Sequence, residues 1–185
     1  MHVKNAEKET MSKNDKRKAT MEKAKAAYEN LNAQQRGELL TALIQLYHQK
    51  QDQTTLMPVM QCLMDNVPVG VPMKVSEEDM KLMKEAKENK TGASLKVSMK
   101  TVILKHPDGR AYMPVFSRQA EVPKEFFEKY YWLQMPFKQC AKLVSQMENV
   151  EEIVINTFTH KLFVPKKVLE SMTLVDDLRP ADEMK

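Results

Sequence analysis

The chain has 185 residues, enough for one domain with a real core and short for two. Four glycines leave little material for a Gly-rich phosphate loop, and that argues against nucleotide chemistry of the P-loop or Rossmann kind. The net charge of +4 is concentrated in residues 1–25, where eight basic side chains from Lys4 to Lys25 face four acidic ones, so the remainder is neutral on balance.

Residues 1–30 are expected to be a charged tail, flexible or helical. They are rich in Lys, Glu and Ala and hold too few large apolar groups to offset the entropy of ordering. Met21, Ala24, Tyr28 and Leu31 would nonetheless share one face of a helix. Acidic residues interrupt the basic ones and no aromatic precedes Tyr28, so no nucleic-acid partner is expected. No signal-peptide pattern and no apolar run of the ~18 residues needed for a membrane span is present, and the expectation is a cytoplasmic protein with no membrane contact.

Residues 31–175 are expected to form one α+β domain. It opens with a helical hairpin over 31–66. Leu39, Leu40, Leu43, Ile44, Leu46 and Tyr47 recur at helical spacing in 34–50, and Val59, Met60, Leu63 and Met64 do so in 53–65. Thr54 or Thr55 is the expected cap of the second helix, with Pro58 in its first turn. Residues 67–75, VPVGVPMKV, are β-branched and punctuated by proline, which predicts an extended edge strand. Ser76 before Glu77, Glu78 and Asp79 predicts a helix N-cap, and Asn89–Ser94 its end.

Beyond Leu95 the chain turns strand-like, and His106-Pro107-Asp108-Gly109 predicts a hairpin turn returning through Ala111–Phe116. Both faces of that return strand are apolar. Pro114 there argues for an edge or a bulge. Pro123 is expected to start a short helical run, EFFEKYYW, and Pro136 a longer helix with Phe137, Cys140, Leu143, Val144 and Met147 on one face. A strand follows at Ile153–Asn156, parallel to Ala111–Phe116 because helices separate the two. Leu162–Val164 is a last short strand and Pro165 opens a terminal helix to about Met172. An acidic tail over 176–185 ends the chain. Residues 67–175 thus predict a mixed sheet of about four to six strands packed with helices.

The segments YMPVFSR, MPFKQCAKLV and VEEIVINTFTHKLFVPKKVL together resemble the SseB family, the amino-terminal domain of bacterial SseB-type (enhanced serine sensitivity) proteins. The likeness covers roughly 35–172 and is most specific over 112–168. It implies a fold and transfers no enzymatic activity. Two departures fall in one loop: the family's proline after the strand Asn is Thr157 here, and its turn glycine falls near Thr159.

No reaction signature accompanies the fold. The histidines are His2, His48, His106 and His160, and only His160 lies beside a strand end, where α/β proteins place ligands. Paired with Cys140 it could form a thiol–imidazole couple. The more economical reading is a core cysteine and a solvated histidine. Cys62 and Cys140 both sit in apolar helical patterns and suit a reducing compartment. No CxxC, HxH or HExxH spacing occurs and adjacent carboxylates such as Glu151-Glu152 point apart, so neither a metal nor a cofactor is assigned.

The densest aromatic segment is Phe126, Phe127, Tyr130, Tyr131, Trp132 and Phe137. The helical run EFFEKYYW cannot turn all of its rings inward, and exposed aromatic rings are favoured anchors of protein interfaces. The expected function is therefore a non-enzymatic protein-interaction or regulatory module that binds a protein partner or itself through this segment. The alternative is a small-molecule-sensing or enzymatic domain with a pocket near Asn156, Thr157 and His160.

Overall fold

The structure, a computed structural model, describes residues 26–88 and 97–177. The expectations for residues 1–25, for the Asn89–Ser94 turn and for residues beyond 177 lie outside these. The chain divides into two units, Met1–Asn32 and Ala33–Lys185. Of the first, residues 26–29 form a helical turn.

The second unit carries the fold. Helix α1 (Ala33–Lys50) and helix α2 (Gln53–Met64) form the expected hairpin, joined through Gln51 in the left-handed region (φ 51°). The buried stripe of α1 is Gly37, Leu40, Thr41 and Ile44, at i, i+3, i+4 and i+7. Asp52, rather than either threonine, caps α2. Its carboxylate accepts the Thr55 backbone N–H at 2.8 Å and the hydroxyls of Thr54 and Thr55. These bonds, the Thr54 hydroxyl foremost, hold the Asp52 carboxyl below its usual range. An Asp outcompetes a Thr here because its charged oxygen serves one amide and two hydroxyls at once. Pro58 lies inside the helix, beyond the first turn that was expected to hold it.

Among the described residues, seven strands are distributed over two sheets. In the first, β1 (Pro68–Val75) is central, flanked by β2 (Met99–Thr101) and β5 (Tyr131–Pro136) in the order β2-β1-β5, all antiparallel. In the second, β3 (Leu104–Lys105), β4 (Ala111–Val115), β6 (Glu152–Ile155) and β7 (Leu162–Pro165) lie in the order β3-β4-β6-β7. Strands β4 and β6 are parallel, as the crossover pattern predicts. The turn between β3 and β4 closes through the Gly109 N–H on the His106 carbonyl, with Gly109 at φ 90°, where an L side chain is strained. One two-bond bridge, Gly70 to Phe116, joins the sheets.

Three sequence expectations change. β1 is the central strand of its sheet, not an edge. Gly70 bonds Phe116 and the Pro72 carbonyl accepts from Val102, so the even-numbered residues of β1 face away from β5. Pro68 and Pro72 are both even-numbered, and their missing N–H groups remove nothing from the β1–β5 ladder. The helical run from Pro123 stops early: helix α4 is Lys124–Lys129, and Tyr131 onward is strand β5. Alternation of Tyr131, Leu133 and Met135 with Trp132 and Gln134 supplies a strand period, and six residue pairs with β1 decide the competition. Pro114 sits in an interior strand, between the last β3 pairing at Tyr112 and the Gly70 bridge at Phe116, where no partner requires its N–H.

Helix α3 (Glu77–Glu88) starts as predicted, with the Ser76 hydroxyl accepting the Asp79 N–H at 3.0 Å. Helix α5 (Phe137–Ser145) buries Phe137, Cys140, Ala141 and Val144, and helix α6 (Lys166–Asp177) buries Leu169 and Met172. Val69, Val71, Met113, Val115, Ile153 and Ile155 fill the core from the strands. Each fully buried aliphatic side chain contributes about 1.5–3 kcal/mol.

Candidate interaction surface

Two strand ends meet beside α1: β4 leads into Phe116-Ser117 and β6 into Asn156-Thr157. Ser117 is the hub. Its backbone N–H donates to Asn156 Oδ1 at 3.0 Å, and its hydroxyl lies 2.6 Å from Thr41 Oγ1 and 3.0 Å from the donating Asn156 Nδ2. The Thr41 hydroxyl also reaches the Gly37 carbonyl at 3.0 Å. A side chain at Gly37 would place its Cβ 2.1 Å from the Ser117 carbonyl oxygen, so glycine is what permits α1 to approach this closely. Asn156 is wholly buried and adopts φ 54°, a conformation asparagine tolerates far better than most residues.

The loop that follows is tied down residue by residue. The Tyr112 hydroxyl lies 3.0 Å from Thr157 Oγ1, the Thr159 hydroxyl donates to the Glu121 carboxylate, and His48 Nε2 meets the Lys161 carbonyl at 2.8 Å. Glu121 is itself buried and receives the Arg118 guanidinium at 2.8 Å, so its charge is paired rather than stranded. Thr157, standing where the family pattern has proline, spends its hydroxyl on Tyr112.

What this bracing presents is Phe158, 42% exposed at the apex of the loop. Its ring stacks on Phe116 with centroids 5.8 Å apart and meets Phe126 edge-on at 4.9 Å. Phe126 in turn contacts Tyr130 at 4.9 Å, one turn along the chain from it, and Phe127 stacks on Trp132 at 5.0 Å. The Trp132 indole N–H donates to the Phe127 carbonyl at 2.8 Å, and its ring meets Phe116 edge-on at 5.4 Å. Six aromatic residues from three chain segments thus form one continuous cluster. Phe116 is its buried floor, Phe126, Phe127, Tyr130 and Trp132 are half-buried, and Phe158 is exposed. Lys129 lies 5.5 Å over the Tyr130 ring at the rim.

The candidates from sequence separate on this geometry. Phe126, Phe127, Tyr130 and Trp132 come together. Tyr131 alternates to the other face of β5 and lines a cleft of about 440 Å³ with Met73, Lys74, Val75, Met80, Lys129 and Tyr130. Phe137 is fully buried and is corrected from surface to core, because it opens the buried stripe of α5. Asn156 and Thr157 are buried with their side chains engaged within the protein. His160 is exposed, 5.9 Å from the His48 ring. Cys140 is fully buried and desolvation pushes its thiol up to about 12, the reverse of what a nucleophile needs. Among the described residues, no three His, Cys, Asp or Glu side chains converge as a metal-binding group.

Phe158 was missed by sequence reasoning. It stands 26 positions after Trp132 in a turn, outside any aromatic run. Its one sequence signal is proximity to the IVIN strand end, beside which the sequence reading places a pocket at Asn156, Thr157 and His160.

The architecture defines a small α+β domain in which the matching strand-end motifs are structural braces beneath a shared aromatic surface. A family model, the SseB protein N-terminal domain, matches residues 39–171, and the chain belongs to that family. No curated protein and no solved structure matches it. No helix among the described residues is long and apolar enough to cross a membrane.

Proposed function

We propose that this SseB-family domain is a non-enzymatic protein-interaction module of regulatory character, acting in the cytoplasm, whose docking surface is the aromatic cluster headed by Phe158. The supporting observation is the investment in that one ring. Four separate side-chain contacts, at Asn156, Thr157, Thr159 and the Lys161 carbonyl, hold a six-residue loop whose central Phe158 remains 42% exposed against Phe126. Rigid aromatic side chains lose little conformational entropy on binding, and they dominate the energetics of protein interfaces.

The test is affinity capture from native lysate with wild type and Phe158→Asp, both checked to be fully folded at the temperature of the capture. A partner retained by wild type and lost by the variant supports the module. Identical captured sets from the two proteins would remove it. A small-molecule pocket around Asn156 gains no support from a residue wholly buried with both amide atoms bonded to Ser117.

A further inference from the structure

Strand β5 borders the aromatic cluster and, among the described residues, is the edge of its sheet. Which of its backbone groups are open follows from the register. Phe137 N–H donates to the Val67 carbonyl at 2.9 Å, and pairing continues as Met135 with Val69, Leu133 with Val71 and Tyr131 with Met73. Since hydrogen bonding alternates along an antiparallel pair, the odd-numbered residues of β5 face β1. The N–H and C=O of Trp132 and of Gln134 therefore point outward, and none of these four groups has a backbone partner among the described residues. Pro136 has no N–H to offer on that edge, and at the other end the chain turns out of α4 at Tyr130.

The open window is thus two residues, each with a donor and an acceptor, spaced symmetrically about Leu133. That pattern is its own complement. Turned through a two-fold axis at Leu133, Trp132 of one copy exchanges both bonds with Gln134 of the other, and the reverse pair forms at the same time. No residue from Tyr131 to Pro136 is charged, so an antiparallel self-pair sets no like charges opposite each other. An edge guarded against such pairing ordinarily carries lysine there.

We propose that the partner at this surface includes a second copy of the chain: β5 pairs with β5 in a two-fold dimer, making one six-stranded antiparallel sheet, β2-β1-β5-β5-β1-β2. This rests on the reading of the aromatic cluster as an interaction surface and names one occupant for its β5 border. The contact is isologous, as closed two-fold assemblies require.

The test is sedimentation velocity together with amide hydrogen exchange at low and high protein concentration. In wild type, the Trp132 and Gln134 amides should gain protection of tenfold or more as concentration rises, while the Leu133 amide, bonded to β1, stays unchanged. Gln134→Pro removes one outward N–H and leaves the β1 ladder intact, so it should be monomeric with an unfolding midpoint near that of wild type. Should Gln134→Pro unfold, the exchange measurement on wild type decides alone. A monomeric wild type at every concentration, or a dimer whose Trp132 and Gln134 amides stay unprotected, overturns the pairing. Neither result touches the Phe158→Asp capture experiment, which fails or succeeds separately.

Discussion

The polar junction under the 156–161 loop and the aromatic cluster above it use adjacent residues of the same two strand ends to opposite purposes. Ser117 and Asn156 turn inward, are buried and satisfy one another. Phe116 and Phe158, each within two residues of them, carry a surface that stays partly open to solvent. Buried polar networks are costly when half-satisfied, so substitutions in the junction should destabilise the fold. A ring that stays 42% exposed has less folding energy at stake, held in its contacts with Phe116 and Phe126. Its loss should change recognition and cost less stability than a break in the junction.

Breaking the junction should have the largest effect at Gly37. Gly37→Val sets a branched side chain where even a Cβ would lie 2.1 Å from backbone oxygen, and neither α1 nor Ser117 can yield without losing the Thr41 contact. The expected cost is about 3 kcal/mol or more, read from urea unfolding. Next comes Asn156. Asn156→Ala strands the buried Ser117 N–H and forces an ordinary residue into φ 54°, for about 3 kcal/mol together. Asn156→Gly loses the same hydrogen bonds but keeps the backbone conformation, and should recover about 1 kcal/mol of that. Equal midpoints for the two variants would mean that the left-handed conformation costs nothing here. The smallest effect is predicted at Phe158, where Phe158→Asp gives up the contacts with Phe116 and Phe126 and should cost about 1–2 kcal/mol. A loss comparable to that of Gly37→Val would turn Phe158 into a core residue and dissolve the contrast between the two regions.

Much of the fold was legible in the sequence because its signals are local. The helical hairpin, the Ser76 cap, the Pro107–Gly109 turn and the parallel pairing of Ala111–Phe116 with the 153–156 strand each follow from period, cap or turn chemistry. The misread elements are those set by partners distant in sequence. Tyr130-Tyr131-Trp132 continues the aromatic run of the helix before it, and pairing with β1, more than fifty residues earlier, decides its strand state. The prolines of β1 signalled an edge because sequence carries no information about which way a missing N–H points.

The candidate surface was half legible. A run of rings announces itself within ten residues, so Phe126 to Trp132 could be found. Phe158 could not, since its place against Phe126 depends on the β4–β6 register and on the Glu121–Thr159 bond. Phe137 was grouped with the surface rings by proximity, although its helical stripe with Cys140 and Val144 already marked it as core.

Phe158 and Phe163 offer a matched pair for the central claim, both exposed phenylalanines of the same unit, at 42% and 50%. Phe158 heads the aromatic cluster, whereas Phe163 lies on edge strand β7 with its ring 5.9 Å from His106. The most direct measurement places a photo-crosslinking phenylalanine analogue at each position in living cells and compares the adducts. The expected result is a discrete protein adduct from position 158, to a partner or to a second copy, and none of that mass from position 163. No adduct at 158, or the same adducts from both positions, would contradict the assignment of the Phe158 cluster as the docking surface.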